Sequence, residues 1–284
     1  MPQRSGPLMP VAVATVAASA VTGLLAVLLV AQPRDAGATR SAPDIVIDPA
    51  ASDPSDPSTP PRDGFRVWAV DPDGRTVRWD PCEPIPLVVD PTGAPAGALE
   101  DLTRAIDLLV LAGGPRLVVE GATTERPAVR RRPYQPERYG ERWAPVLVAW
   151  AAPGDTDLPL AASDRGLALP VAVRADGRRA FVTGQVVLNA ARDDLVGGFE
   201  DRATSWGATL VHELGHLVGL GHVEDLGELM SRRPGRGPVR LGPGDRAGLA
   251  HLADDGRCAP APRPRALPVE RPDGDAPAGV SPGR

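Results

Sequence analysis

His212-Glu213-Leu214-Gly215-His216-Leu217-Val218-Gly219-Leu220-Gly221-His222 is the stretch of this 284-residue chain on which its fold and chemistry turn. His212 and His216 stand four apart, so on a helix their imidazoles project from one face about one turn apart. That spacing lets both rings reach one Zn²⁺ through bonds of about 2.0–2.1 Å. A third imidazole requires the chain to bend, and Gly219 sits where the helix must end, since glycine takes a left-handed conformation without a Cβ penalty. The turn then swings His222 towards the metal. Leu210, Val211, Leu214, Leu217 and Val218 leave the remaining helix faces apolar and seat the ligand pair in a core. Three histidines leave a fourth position open to water, whereas a structural zinc closes its tetrahedron with protein. Glu213, adjacent to a ligand but not one itself, fits a general base.

Outward from this motif, the pattern predicts an α+β domain. The helix opens near Thr204 or Ser205 as N-cap. Before it, Phe65–Val70 and Thr76–Trp79 read as two strands around the turn Asp71-Pro72-Asp73-Gly74, and Pro84–Asp90 as a third. A helix runs from Pro95 to about Leu111, with Leu99, Leu102, Ile106 and Leu109 on one face, and Gly113-Gly114-Pro115 stops it. Leu117–Val119, Val146–Trp150, Leu167–Val173 and Phe181–Leu188 read as strands, with a long Arg/Pro/Tyr loop up to Trp143. A short last helix covers Pro243 to Leu252 and carries His251, read as a solvated or satisfied histidine.

The rest of the chain bounds the domain at about 64–258, enough for one buried core. Residues 1–10 read as a short cytoplasmic stub. Val11 to Ala31 are 21 residues without a charge, roughly 31 Å as a helix, which suits either a retained transmembrane anchor or a signal segment. Residues 32–63 read as a disordered Pro/Asp/Ser linker and 259–284 as a disordered Pro/Arg tail. The placement expected is single-pass in the cell membrane with the domain outside, or secretion after cleavage. All 31 basic residues are arginine against 36 acidic ones, a net charge of −5, which excludes a strongly cationic nucleic-acid binder. The only two cysteines, Cys82 and Cys258, exclude a thiolate zinc site; in an exported chain they read as a disulfide, with an inhibitory Cys82 thiolate as the alternative.

The motif HELGHLVGLGH, followed by Glu228-Leu229-Met230, resembles the metzincin zinc proteases, and HVEDLGELM is similar to the matrixin version, in a bacterial, exported or membrane-tethered form. The resemblance implies a twisted mixed β-sheet, an active-site helix, a backing helix and a short C-terminal helix. It implies one catalytic zinc on His212, His216 and His222, Glu213 as base, and Met230 on a tight turn beneath the site. It also implies a substrate lying along the edge strand before the active-site helix, here placed within Phe181–Asn189. Where matrixins commonly continue Leu-Met-Tyr-Pro, this chain has Leu229-Met230-Ser231-Arg232. Ser231, Arg232 and Arg233 thus form a candidate specificity loop, favouring acidic or polar residues just after the scissile bond. No histidine set for a second, structural zinc exists, and calcium is left open.

The function expected is a zinc endopeptidase acting on extracellular or cell-envelope proteins through metal-activated water. The partners expected are a protein or peptide substrate and, with the N-terminal segment retained, a membrane. Two alternatives stand beside it: a surface-tethered zinc-containing binding module without turnover, and a zinc hydrolase of a non-peptide amide.

Overall fold

The computed structural model describes residues 46–48, 63–175, 177–253, 258 and 260–264. Six strands form one mixed sheet: β1 (Val46–Asp48), β3 (Ile85–Asp90), β4 (Leu117–Ala122), β5 (Val146–Ala151), β6 (Gly166–Ala175) and β7 (Arg178–Asn189). Their order is β1-β6-β7-β5-β3-β4. Neighbours from β7 through β5 and β3 to β4 are parallel, whereas β6 runs antiparallel to both β7 and β1. Two short strands, β2 (Arg66–Val67) and β8 (Leu220–Gly221), pair separately.

The runs IPLVVD and VLVAWA are apolar on both faces because β3 and β5 lie in the parallel interior of the sheet, covered on each side. Between β3 and β4 runs α1 (Ala98–Leu111), and α3 (Trp206–Val218) packs against α1 and across β6 and β7. Ala98, Leu102, Ala105, Ile106 and Leu109 form the buried face of α1. Leu99, expected on that face, is 49 % exposed, since the helix rolls so that Ala98 takes the inner position one residue earlier. α4 (Pro243–Ala253) closes the domain, where His251 Nε2 bonds the Thr76 hydroxyl at 2.9 Å.

Of the two strands expected around Asp71–Gly74, the first keeps Arg66–Val67 as β2, which pairs with β8, and the two meet each other only in a bridge between Val70 and Thr76, although the turn forms through Gly74 N–H to Asp71 O at 2.8 Å. Trp68 and Trp79 bond the end of α3 instead: Trp68 N–H donates to Gly219 O at 2.7 Å and Trp79 Nε1 to Leu217 O at 2.8 Å. The long loop before β5 contains one helical turn, α2 (Pro136–Tyr139), and is pinned from within. Glu125 accepts from Arg131 Nε (3.0 Å) and Nη2 (2.8 Å), Gln135 Nε2 (2.6 Å) and Tyr139 OH (2.6 Å). Burial alone would raise the Glu125 carboxyl, but these donors and the Arg131 charge hold it below its ordinary value.

Val46–Asp48 pairs with β6 inside the stretch expected as a linker, and Trp143 Nε1 donates to Pro262 O at 2.7 Å inside the stretch expected as a tail. Cys82 and Cys258 form a disulfide, with Cα atoms 5.3 Å apart and a sequence separation of 176, so neither sulfur is a free thiolate. The single-pass membrane placement is corrected: among the described residues no helix is long and apolar enough to cross a membrane. The longest, α1, has 14 residues, whereas a span needs about 20. The apolar segment 11–31 lies outside the described residues.

Candidate metal centre

The helix α3 starts where local chemistry directs it. Ser205 is the N-cap and its side chain accepts from Ala208 N–H at 3.3 Å. The helix ends at Gly219, whose φ of 119° lies in the region that a side chain would make costly. The reversal runs Leu220-Gly221 along β2 and brings His222 back over the helix face.

The three rings then converge. The Nε2 atoms of His212, His216 and His222 lie 3.1 Å from one another in all three pairs. His212 Nδ1 bonds Leu229 O at 2.9 Å and His216 Nδ1 bonds Leu220 O at 2.9 Å. A carbonyl only accepts, so both Nδ1 atoms carry the proton and both neutral rings turn an Nε2 lone pair to the same point. Two lone pairs facing at that distance repel unless a cation sits between them. A tetrahedral ion with bonds of about 2.0–2.1 Å holds its ligand atoms roughly 3.3 Å apart, so this donor set fits zinc.

Electrostatics prepare the same state. Burial, and then the neighbouring histidines His212 and His222, push His216 well below its ordinary value. Burial also lowers His212. Both rings are therefore neutral ligands at neutral pH. Glu213 is buried beside them, and burial, with the Asp164 carboxylate adding repulsion, pushes its carboxyl up to about 8. With the metal absent it is thus protonated at pH 7; a dication a few ångströms away favours the carboxylate and reverses this. Zinc binding at pH 7 is expected to release about one proton, mostly from Glu213 and little from the histidines. Calorimetry in buffers of different ionisation enthalpy measures it, and Glu213→Gln should reduce the release to the part that a metal-bound water supplies.

Beneath the rings, Met230 is buried and its Sδ lies 2.6 Å from where a Cβ at Gly215 would stand, so the thioether packs directly under the metal helix. The turn carrying it hangs on two buried carboxylates that the sequence reading missed. Asp245 accepts from Leu229 N–H (2.6 Å), Met230 N–H (3.1 Å) and Gly242 N–H (2.8 Å). Glu228 accepts from Gly244 N–H (3.0 Å) and Asp245 N–H (2.7 Å). Asp245 therefore fixes Leu229, whose carbonyl fixes the His212 ring. Burial raises the Asp245 carboxyl to about 6 despite its three donors. The ring of Trp68 meets His216 edge-on at 5.1 Å. Neither Asp245 nor Trp68 stands near the motif in sequence; an aspartate in the first turn of the last helix was the one available hint.

A cavity of about 350 Å³ opens beside the rings, lined by Glu213, by Gly166–Ala168 of β6, by Ala208 and Thr209 of α3, and by Leu229, Ser231 and Arg232. The strand along this site is β6: a Cβ at Gly166 would stand 2.8 Å from Glu213 Cγ. The expected edge position of Phe181–Asn189 is corrected, since β7 is hydrogen-bonded on both sides, by β5 and β6. Of the candidate specificity residues, Ser231 is buried in the wall, Arg232 pairs with Glu224 at 3.2 Å, and Arg233 is exposed outside the lining. Arg165 and Arg202 line the cavity as well, alongside Ser231 and Arg232. The other group of ligating side chains among the described residues, Asp80, Cys82 and Cys258, has its sulfurs in the disulfide.

No protein-family model matches this chain, and no curated protein matches it.

Proposed function

We propose that this chain is a zinc-dependent endopeptidase of the matrixin-like metzincin kind. The observation that carries the reading is the convergence of three imidazole Nε2 atoms, 3.1 Å apart, on the wall of a cavity that also holds a buried carboxyl group. His212, His216 and His222 are the ligands. A zinc ion there supplies Lewis-acid activation of water and of a peptide carbonyl.

The remaining roles fall to the chain's own groups. Glu213, next to the rings and free of the ligand set, takes a proton from water on its carboxylate and delivers it to the leaving amine. β6 supplies the binding edge. Among the described residues its partner β1 covers Ala172 to Arg174 only, so in this reading Gly166–Val171 present main-chain groups to an extended peptide. Met230, Asp245 and Trp68 hold the ligands in register. The Cys82–Cys258 disulfide suits an oxidising compartment, so the substrates proposed are proteins met there.

Incubating the full chain with an unfolded protein tests the reading. Fragments are expected with zinc present, none with a chelator, and recovery on zinc re-addition. An intact substrate under every condition would overturn it.

A further inference from the structure

Arg202 is the least satisfied charge in the molecule's cavity wall. It is 9 % exposed, and its Nε is buried without a hydrogen-bond partner. Its guanidinium donates to Gly227 O at 3.3 Å and to Glu228 O, and no carboxylate pairs with it among the described residues. The loop after the third histidine wraps this side chain. Arg202 N–H donates to Gly237 O at 2.8 Å, and a Cβ at Gly235 would stand 3.1 Å from the guanidinium carbon. Glycine at 235 leaves the room that the guanidinium fills.

A buried cation held by two neutral carbonyls and with an idle donor is costly unless a further acceptor arrives. The Nε is closed off from solvent, but Nη1 and Nη2 each give only one hydrogen bond to a carbonyl, and Arg202 lines the cavity together with Glu213 and the three histidines, so an acceptor entering there meets the guanidinium at its remaining Nη N–H groups. Arg165 lines the same cavity, and it too spends its donors on carbonyls, those of Arg202 and Ala203. Asp194 and Asp201 lie near enough to act on Arg165 but do not line the cavity, and the two acidic groups that do line it are not paired with either arginine. Asp164 is engaged by its own loop, accepting from Ala161 N–H at 2.9 Å, and Glu213 stands beside the rings.

We propose that this cavity is a carboxylate pocket in which Arg202, flanked by Arg165, receives the side chain of an aspartate or glutamate flanking the scissile bond. The proposal rests on the endopeptidase reading for what the ligand is, a substrate side chain, and on Arg202 for its charge. A planar guanidinium suits a carboxylate better than any neutral side chain does. It moves the charge selection from Arg232 and Arg233 on the outer loop to an arginine buried in the wall.

Matched peptides that differ only by Glu, Gln or Leu beside the cleaved bond test it on the full zinc-loaded chain. The wild-type protein is expected to cleave the Glu peptide roughly tenfold to hundredfold better than its Gln twin, as judged by kcat/KM. Arg202→Met should bring that ratio near one while zinc content stays unchanged. Should Arg202→Met not fold, Arg202→Lys keeps the charge without the fork and should retain part of the preference. A Glu/Gln ratio near one in the wild type, or preference for Leu, overturns the pocket.

The two readings fail separately. If no peptide is cleaved, the endopeptidase reading falls, and fluorescence anisotropy of the same peptides on the Glu213→Gln chain decides the pocket alone. Tighter binding of Glu than Gln, lost on adding Arg202→Met, upholds it, and equal binding sinks it.

Discussion

Glu213→Gln is expected to keep zinc and lose peptide hydrolysis by roughly 10²- to 10⁴-fold, the usual range for a lost general base. Glutamine preserves the size of a buried side chain that touches the strand β6, so the fold and the ligand triangle stay in place. What disappears is a group that can take a proton and return it. His216→Ala is expected to behave differently, losing the metal itself. Its ring is the most deeply buried of the three, held by Leu220 O and by the edge of Trp68, and two remaining rings cannot hold a zinc ion with the same affinity. Metal analysis and peptide turnover on the two purified variants separate the outcomes. Full turnover by Glu213→Gln would remove the carboxylate from the mechanism.

Reduction of the Cys82–Cys258 bond is expected to be the largest single loss of stability available without touching the core. The bond closes a loop between residues 176 apart in sequence, which in the chain-entropy model contributes up to about 5 kcal/mol. For a domain of this size that corresponds to a fall in Tm of roughly 10 to 20 °C. It joins the segment just before β3 to the segment after α4, so it ties the sheet to the helix whose Asp245 holds the Met230 turn. Melting curves with and without reductant, with Cys82→Ser as control, measure it. Identical curves would show the bond to be idle.

The convergence of His212, His216 and His222 was legible in the sequence because its geometry is local. Four residues make one helical turn, Ser205 can cap where the pattern starts, and a glycine at 219 can reverse the chain, whatever lies around them. The alternation of apolar strands and two principal helices was legible for the same reason, since periodicity is set by backbone geometry. Which strand lies beside the site was not. β6 and β7 are similar apolar runs, and only the pairing of β7 with β5 puts β7 inside and leaves β6 along the cavity. Leu99 was placed inward by spacing, but rolling the helix by one residue buries Ala98 in its place, a choice made by the neighbouring α3. Arg202 carries no local mark, and Asp245 only that of an acidic residue in the first turn of a helix. One arginine among 31 basic residues becomes a cavity wall only when the loop 226–237 folds over it. One aspartate in a helix turn becomes the support of His212 only when α4 docks under Leu229. Short-range spacing thus determined which three imidazoles converge, and long-range packing decided what surrounds them, because burial and charge pairing are properties of neighbours in space rather than in sequence.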